Sequence, residues 1–284
     1  MIVDVHTHVG RPEHFGRRFY EGEERGGLDT SSSEAGLTTT PAEHWKAMDS
    51  VDRAIVLGFK TSLLDCDVPN DYVAAYVQSH PEKLIGFMSV DPTQEGSLEE
   101  LERGHFDLGL RGIKLSPIYQ GFHPHDERVL PIYARAQELG LPIMLHQASC
   151  YNREAPLKYA NPLYFDDVAI RYPELRLVFA HLGYPWMAET LHVVRKHPHL
   201  FTDISFACVR PWSFYNALAD YYEWDVLDKL LLGSDFPAVT TPAATIEMLR
   251  EVNHVVEGTN LPRIPPAEIE GIIQRDSLAL LGLE

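Results

Sequence analysis

Five side chains that can bind a metal ion or move a proton each follow a short apolar segment of the chain. His6 and His8 form an H-x-H pair near the N-terminus, and His146, His181 and Asp235 follow three later segments. Imidazole nitrogens and carboxylate oxygens are common metal ligands, and histidine is the usual acid or base near neutral pH. These residue types therefore indicate a metal centre with an associated acid or base.

The H-x-H spacing has a direct consequence in a β-strand. Side chains alternate from face to face along a strand, so His6 and His8 point the same way and could bind one ion together. His146 would add a third nitrogen and Asp235 an oxygen. This set suits Zn²⁺, with Mn²⁺, Fe²⁺ or Co²⁺ as alternatives. An open position would hold water, whose pKa the ion lowers toward about 7.

The elements that must position these residues form a regular alternation. Eight apolar segments with strand character alternate with helical segments, and continuous apolar runs are typical of buried parallel strands. Eight such units in 284 residues favour a closed (β/α)8 TIM barrel. No G-x-G-x-x-G follows the first strand, which argues against an open dinucleotide-binding sheet. The predicted strands are 2–6, 54–58, 84–89, 110–115, 142–146, 175–180, 200–204 and 229–233.

We expect a single domain over residues 1–284 that includes a C-terminal helix at 266–281. Thr40-Pro41 with Glu43 forms a capping box for a helix at 42–49. Residues 10–40, after the first strand, are rich in Gly, Ser, Glu and Arg and lack periodicity. A loop of this length is either a lid over the substrate or a flexible insertion. The other predicted helices are 70–79, 98–103, 127–139, 166–171, 186–196, 213–221 and 243–256.

In a barrel of this kind, functional groups lie where the strands end. The four histidines and Asp235 therefore share one rim, although a single histidine is more often a surface or core residue. It is their joint occurrence at four separate strand ends that supports a metal site.

Composition excludes several classes of protein. The chain has 24 basic and 41 acidic residues, a net charge of −17, which argues against binding nucleic acid or anionic lipid. The sequence contains no apolar run of about 18 residues, so no membrane span is predicted. The N-terminus does not resemble a signal peptide. Cys66, Cys150 and Cys208 do not form a disulfide framework, so a cytoplasmic location is expected.

The motifs together resemble the amidohydrolase superfamily, and more narrowly its amidohydrolase-2 branch. That branch contains aminocarboxymuconate-semialdehyde decarboxylases and related TIM-barrel metal-dependent hydrolases. The resemblance runs from residue 4 to residue 237, and it is specific for the branch rather than for one reaction. The matching segments are Asp4-Val5-His6-Thr7-His8, Leu145-His146, Ala180-His181-Leu182-Gly183 with Pro185-Trp186, and Gly233-Ser234-Asp235-Phe236-Pro237.

The resemblance implies a role for each of the five residues. His6, His8 and His146 match metal ligands, and Asp235 matches an aspartate that binds the ion and handles the proton of a bound water. His181 matches a histidine that is the acid or base in single-metal members and a ligand of the second ion in two-metal members.

Lys114 bears on the number of ions. Strand alternation turns it away from Ile113 and Leu115, toward the barrel interior. Two-metal members of the superfamily carry a carboxylated lysine on this strand, so a second ion is expected only if Lys114 is carboxylated. Otherwise Lys114 would bind a substrate carboxylate or pair with an acid inside the barrel.

Three further residues are predicted to bind substrate. Arg210 follows the seventh strand and could bind a carboxylate in a forked geometry. Tyr119 follows the fourth strand as a pocket wall. Trp186 follows His181 as a wall or as packing at a helix start.

The first hypothesis is a metal-dependent hydrolase, in which an activated water attacks a lactone, an amide or a similar carbonyl of a small substrate, with or without a carboxylate. The alternative is a metal-dependent non-oxidative decarboxylase of an aromatic or muconate-like acid. A second alternative is a metal-free lactonase or a non-catalytic binding barrel. The expected partner is a small molecule, and a homodimer stays open because members of this branch are often dimers.

Overall fold

A parallel barrel forms the centre of the protein in the computed structural model, which describes residues 1–25 and 38–284. Within these residues eight parallel strands follow the order β1-β2-β5-β6-β7-β8-β9-β10, and β3 and β4 form a separate antiparallel hairpin. The strands are β1 (Val3–His8), β2 (Arg53–Leu57), β3 (Phe59–Thr61), β4 (Cys66–Val68), β5 (Leu84–Ser89), β6 (Ile113–Leu115), β7 (Ile143–Leu145), β8 (Leu177–Phe179), β9 (Leu200–Asp203) and β10 (Leu230–Leu231).

The barrel closes between its last strand and its first. The amide of Val5 donates to Leu232 O at 2.9 Å, and the amide of His8 donates to Phe236 O at 2.7 Å. The segment that follows β10 therefore continues the ladder beside β1. The predicted (β/α)8 barrel is confirmed, and each of the eight predicted strands overlaps an observed one.

Helices pack around the strands, and the capping box predicted at Thr40 is present. Thr40 Oγ1 accepts from the amide of Glu43 at 3.3 Å, and Glu43 Oε2 accepts from the amide of Thr40 at 2.8 Å. No helix in the described ranges is long and apolar enough to cross a bilayer. The helices are α1 (Arg17–Arg25), α2 (Pro41–Ala47), α3 (Asn70–Gln78), α4 (Ser97–Phe106), α5 (Pro117–Gln120), α6 (Leu130–Leu139), α7 (Tyr164–Arg171), α8 (Met187–Lys196), α9 (Pro211–Glu223), α10 (Pro242–Arg250), α11 (Pro266–Ile273) and α12 (Ser277–Leu281).

The predicted C-terminal helix at 266–281 is wrong as one continuous element, because the chain breaks between α11 and α12. Arg275 turns its side chain to Leu230 O at 2.9 Å, and Asp276 caps α12 by accepting from the amide of Ala279 at 3.2 Å. The break lets Leu278 and Leu281 pack in the apolar cluster formed by strand residues such as Val3. α12 and the residues after it therefore cover the end of the barrel opposite the metal-ligand candidates.

The region after β1 contains more structure than its sequence pattern indicates. Its described part includes α1 and a short 3-10 helix at Pro12–His14, whereas residues 26–37 of the predicted 10–40 loop lie outside the described residues. Phe15 and Phe19 are buried, with their rings 6.5 and 6.1 Å from that of Phe59 in β3. The hairpin and α1 therefore build one side of the barrel rim.

Gly112, just before β6, tests the packing of the barrel. A Cβ at this position would lie 2.4 Å from Cζ of Phe87, which is fully buried. We expect Gly112→Ala to lower the free energy of unfolding by about 1–3 kcal/mol through overpacking. Urea denaturation followed by circular dichroism measures this change.

Gly271→Ala in α11 is the matched control, because a Cβ there meets no atom within 4 Å. It is expected to leave stability unchanged or to raise it by up to about 1 kcal/mol, since alanine is the better helix former. Equal effects of the two substitutions would contradict the packing argument.

Candidate metal centre

His6 and His8 lie on the same face of β1, as the H-x-H spacing predicts. Both side chains are buried and line one pocket at the barrel rim. Thr7 points to the opposite face, where its Oγ1 donates to Ile55 O at 2.7 Å. His44 Nε2 lies 2.8 Å from Thr7 Oγ1. Because this hydroxyl already donates its proton to Ile55 O, His44 must be the donor in the second contact. These bonds fix the orientation of β1 between the two histidines.

Asp235 reaches this pocket from the segment after β10. Its amide donates to His6 O at 2.8 Å. Its backbone φ is positive, 56°, which is uncommon for a residue other than glycine. Asp235 Oδ1 lies 3.3 Å from His6 Nε2 and 3.5 Å from His8 Nε2. Three predicted ligands therefore converge.

His146 and His181 complete the cluster from the ends of β7 and β8. His181 Nε2 lies 3.3 Å from His146 Nδ1. His181 has a φ of 63°, and its amide donates to Asp203 Oδ1 at 3.0 Å. The ring centroids of His181 and His6 are 5.0 Å apart.

The donor atoms fit a divalent ion. A tetrahedral site with Zn–N and Zn–O bonds of about 2.0–2.1 Å has donor-to-donor edges of about 3.3–3.4 Å. The distances from Asp235 Oδ1 to the nitrogens of His6 and His8, 3.3 and 3.5 Å, match that edge. Ligand atoms of His6, His181 and Asp235 all lie within 4.8 Å of one another. His181 therefore belongs, with His6 and Asp235, to the donor atoms that could hold one ion.

Burial keeps these imidazoles neutral. It lowers the pKa values of His6, His8 and His181 well below the ordinary value, and it lowers the pKa of His146 to about 3. The positive charge of Lys114 acts in the same direction on each of them. Since a metal binds only the neutral imidazole, the pocket holds its histidines in the form that can be ligands.

Lys114 lies within the ligand cluster. Its side chain is 1% exposed, and Nζ is 3.3 Å from His6 Nε2. Burial lowers the pKa of Lys114, although the carboxylates of Asp235 and Asp203 oppose that shift. Burial raises the pKa of Asp235. The position of Lys114 is compatible with a carboxylated lysine and with a cation that binds a substrate carboxylate, and both stay predictions.

Sequence reasoning missed Asp203 and Ser205, which stand behind the histidines. Asp203 Oδ2 is 2.8 Å from His6 Nδ1, and Ser205 Oγ is 2.8 Å from His181 Nδ1. A Cβ on Gly233 would lie 3.1 Å from His6 Cβ and 3.2 Å from Asp203 Cβ, so glycine leaves room for this pair. The available signal was an aspartate at the end of the seventh predicted strand.

Sequence analysis named Asp4 only as part of a motif, yet its carboxylate links the first strand, β1, to the segment after the last strand, β10. Its Oδ1 accepts from the amide of His6 at 3.0 Å and from the amide of Ser234 at 3.1 Å. Burial raises the pKa of the Asp4 carboxyl to about 7 against these hydrogen bonds, which lower it. Asp4 therefore holds the segment that carries Asp235 beside β1.

Aromatic side chains form the walls of the pocket. The Tyr119 ring lies 4.6 Å from that of His146, and the Phe206 ring lies 5.6 Å from that of His181. Phe19 and Phe59 line the same pocket from the loop after β1 and from the hairpin. Tyr119 is therefore placed where the sequence predicted a wall.

The structure does not place Trp186 or Arg210 among the residues that line this pocket. Trp186 precedes α8 and packs in a small cluster with Ile118 and Ala160. Arg210 lies behind Phe206, with its guanidinium 4.0 Å from the ring centroid and a hydrogen bond to Phe206 O at 3.2 Å. The start of each following helix turns these side chains away from the ligand cluster.

Comparisons with known proteins agree with this geometry. The sequence profile described as Amidohydrolase matches residues 3–273. A curated relative, 2-amino-3-carboxymuconate-6-semialdehyde decarboxylase of Dictyostelium discoideum, is 29% identical over 87% of this chain and 72% of its own length.

Two solved structures share the fold. A probable 2-pyrone-4,6-dicarboxylic acid hydrolase of Acinetobacter baumannii superposes with a TM-score of 0.68 at 17% identity, covering 99% of both chains. An amidohydrolase of Burkholderia multivorans with bound zinc gives a TM-score of 0.68 at 12% identity over 100% of both chains. The profile match, the barrel and the histidine and aspartate cluster agree, and this chain belongs to the amidohydrolase-2 family.

Proposed function

We propose that this protein is a metal-dependent hydrolase that cleaves a lactone, an amide or a similar carbonyl bond in a small carboxylated molecule. The observation that carries the proposal is the placement of His181, a neutral imidazole, beside the ligand atoms of His6 and Asp235 in one pocket. A neutral histidine can accept a proton from water, which hydrolysis requires.

His6, His8, His146 and Asp235 would hold one divalent ion, and Zn²⁺ suits three imidazoles and one carboxylate. When bound, the ion would polarise a substrate oxygen and lower the pKa of water in the site. A second ion would need a carboxylated Lys114.

The acid–base work falls to His181 and Asp235. Burial lowers the pKa of His181, so its imidazole stays a base below the pH at which an exposed histidine is protonated. As a ligand Asp235 would be ionised, so together with His181 it would accept a proton of the water and pass it to the leaving group.

Substrate orientation falls to Lys114 and the aromatic walls. As an ammonium, Lys114 would attract a carboxylate toward the ligand cluster, where its Nζ lies 3.3 Å from His6 Nε2. Phe59, Tyr119 and Phe206 present ring surfaces that suit a small planar molecule.

A non-oxidative decarboxylase is the second candidate. Its support is the buried cation Lys114 in the ligand cluster, together with the relative named as a decarboxylase. In that reaction Lys114 would hold the carboxylate that leaves, and His181 or Asp235 would protonate the carbon. Incubation in ¹⁸O-labelled water separates the two reactions, because hydrolysis transfers the label to product whereas decarboxylation releases carbon dioxide.

Metal content tests the centre itself. Protein purified without added metal is expected to contain about one divalent ion per chain by elemental mass spectrometry. His6→Ala should lose it, because His6 is buried within the cluster, whereas exposed His254→Ala should retain it. About two ions, falling in Lys114→Ala, would replace the single-ion proposal with a bridged pair. Metal-free wild-type protein that gains no activity with Zn²⁺ or Mn²⁺ would contradict the proposal.

Substitution of His181 tests its role as the base. On the best substrate from a panel of small carboxylated lactones and amides, His181→Asn should lower kcat about 10²–10⁴-fold while the metal content is retained. His192→Asn, on the exposed face of α8, is the control and should leave kcat unchanged. Loss of metal in His181→Asn would instead make His181 a ligand. Release of carbon dioxide without incorporation of ¹⁸O would favour the decarboxylase.

A further inference from the structure

Asp203, at the end of β9, contacts three segments of the metal centre: His181 after β8, Ser205 after β9 and His6 in β1. Its Oδ1 accepts from the amides of His181 and Ser205, both at 3.0 Å, and from the hydroxyl of Ser205. Its Oδ2 lies 2.8 Å from His6 Nδ1. Asp203 and Ser205 are fully buried, so no solvent competes for these contacts.

The proton on His181 follows from counting donors. Ser205 has one hydroxyl proton, and it points to Asp203 Oδ1. Ser205 Oγ is therefore left with lone pairs toward His181 Nδ1, 2.8 Å away. A hydrogen bond at that distance needs a donor, so His181 must carry its proton on Nδ1. Because the imidazole is neutral, Nε2 keeps a lone pair.

Counting donors also fixes the position of the proton on His6, here without an intervening residue. A carboxylate oxygen accepts and does not donate, so the 2.8 Å contact places the His6 proton on Nδ1. Its Nε2, which faces Asp235 and Lys114, then keeps a lone pair.

We propose that Asp203 is the positioning residue that sets the tautomers of both histidines, directly for His6 and through Ser205 for His181. One carboxylate thereby presents His6 Nε2 as a metal ligand and His181 Nε2 as the atom that accepts a proton. A second set of partners that orients metal-bound histidines is a general requirement of such sites. Here a single side chain serves a ligand and the base.

Substitutions can separate the direct effect of Asp203 on His6 from its effect on His181 through Ser205. In Asp203→Asn the amide oxygen should keep the Oδ1 position, because three donors face it. The amide NH₂ then faces His6 Nδ1, which must accept, so the His6 proton moves to Nε2. An Asp-to-Asn change that preserves geometry but reverses a histidine tautomer has this effect in serine proteases. Ser205→Ala removes the 2.8 Å contact with His181 Nδ1 and a longer one of 3.4 Å with His6 Nδ1, whose 2.8 Å contact with Asp203 remains.

The experiment is ¹⁵N–¹H correlation NMR of the imidazole nitrogens in the full-length protein, with and without Zn²⁺, combined with Zn²⁺ affinity from chelator competition. In the metal-free wild type, both His6 and His181 should be protonated on Nδ1. Asp203→Asn should move the His6 proton to Nε2 and weaken Zn²⁺ binding by at least about 10–100-fold. Ser205→Ala should leave the His6 proton on Nδ1, because Asp203 still accepts it, and should leave Zn²⁺ affinity unchanged. It should abolish the single tautomer of His181.

Asp228→Asn, an exposed change, is the control for Asp203→Asn and should alter neither measurement. Protonation of either histidine on Nε2 in the wild type would overturn the proposal, even if Asp203→Asn fails to fold. So would Asp203→Asn protein with wild-type His6 signals and Zn²⁺ affinity. The affinity measurement rests on the metal centre of the proposed function, whereas the NMR measurement needs neither ion nor substrate, so the two can fail separately.

Discussion

Closure of the barrel between β10 and β1 is the constraint on which the rest of the site depends. The amide of Asp235 donates to His6 O at 2.8 Å, and the Asp4 carboxylate accepts from the amides of His6 and Ser234. These bonds bring residues more than two hundred positions apart to adjacent places in one ladder. Without them Asp235 could not lie within 3.5 Å of both histidines of β1.

The two ends of the barrel differ in polarity and in what they contribute to the protein. At one end, Leu278 and Leu281 from α12 pack with apolar strand residues and exclude water. At the other, buried imidazoles and carboxylates lie close together, where desolvation shifts their pKa values and costs folding free energy. The apolar end and the outer core must supply stability that the polar rim does not. Such a division is common where a preorganised site is built on a rigid scaffold.

Local patterns were sufficient for much of the architecture. Apolar runs located all eight barrel strands, and Thr40 with Glu43 located the start of α2. The break in 266–281 was not predicted, because periodicity continues across it while Arg275 bonds to a carbonyl on a distant strand. The hairpin of β3 and β4 was missed for a similar reason, since strands of three residues carry little periodic signal.

The sequence by itself determined which residue types stand at the strand ends, because strand alternation and barrel topology follow from local pattern. That was enough to predict a shared rim for His6, His146, His181 and Asp235. Tertiary structure decided what surrounds them: Asp203 and Ser205 behind the imidazoles, Lys114 beside His6, and Arg210 turned away behind Phe206. Hydrogen-bond partners and burial depend on contacts between distant segments, which no local pattern encodes.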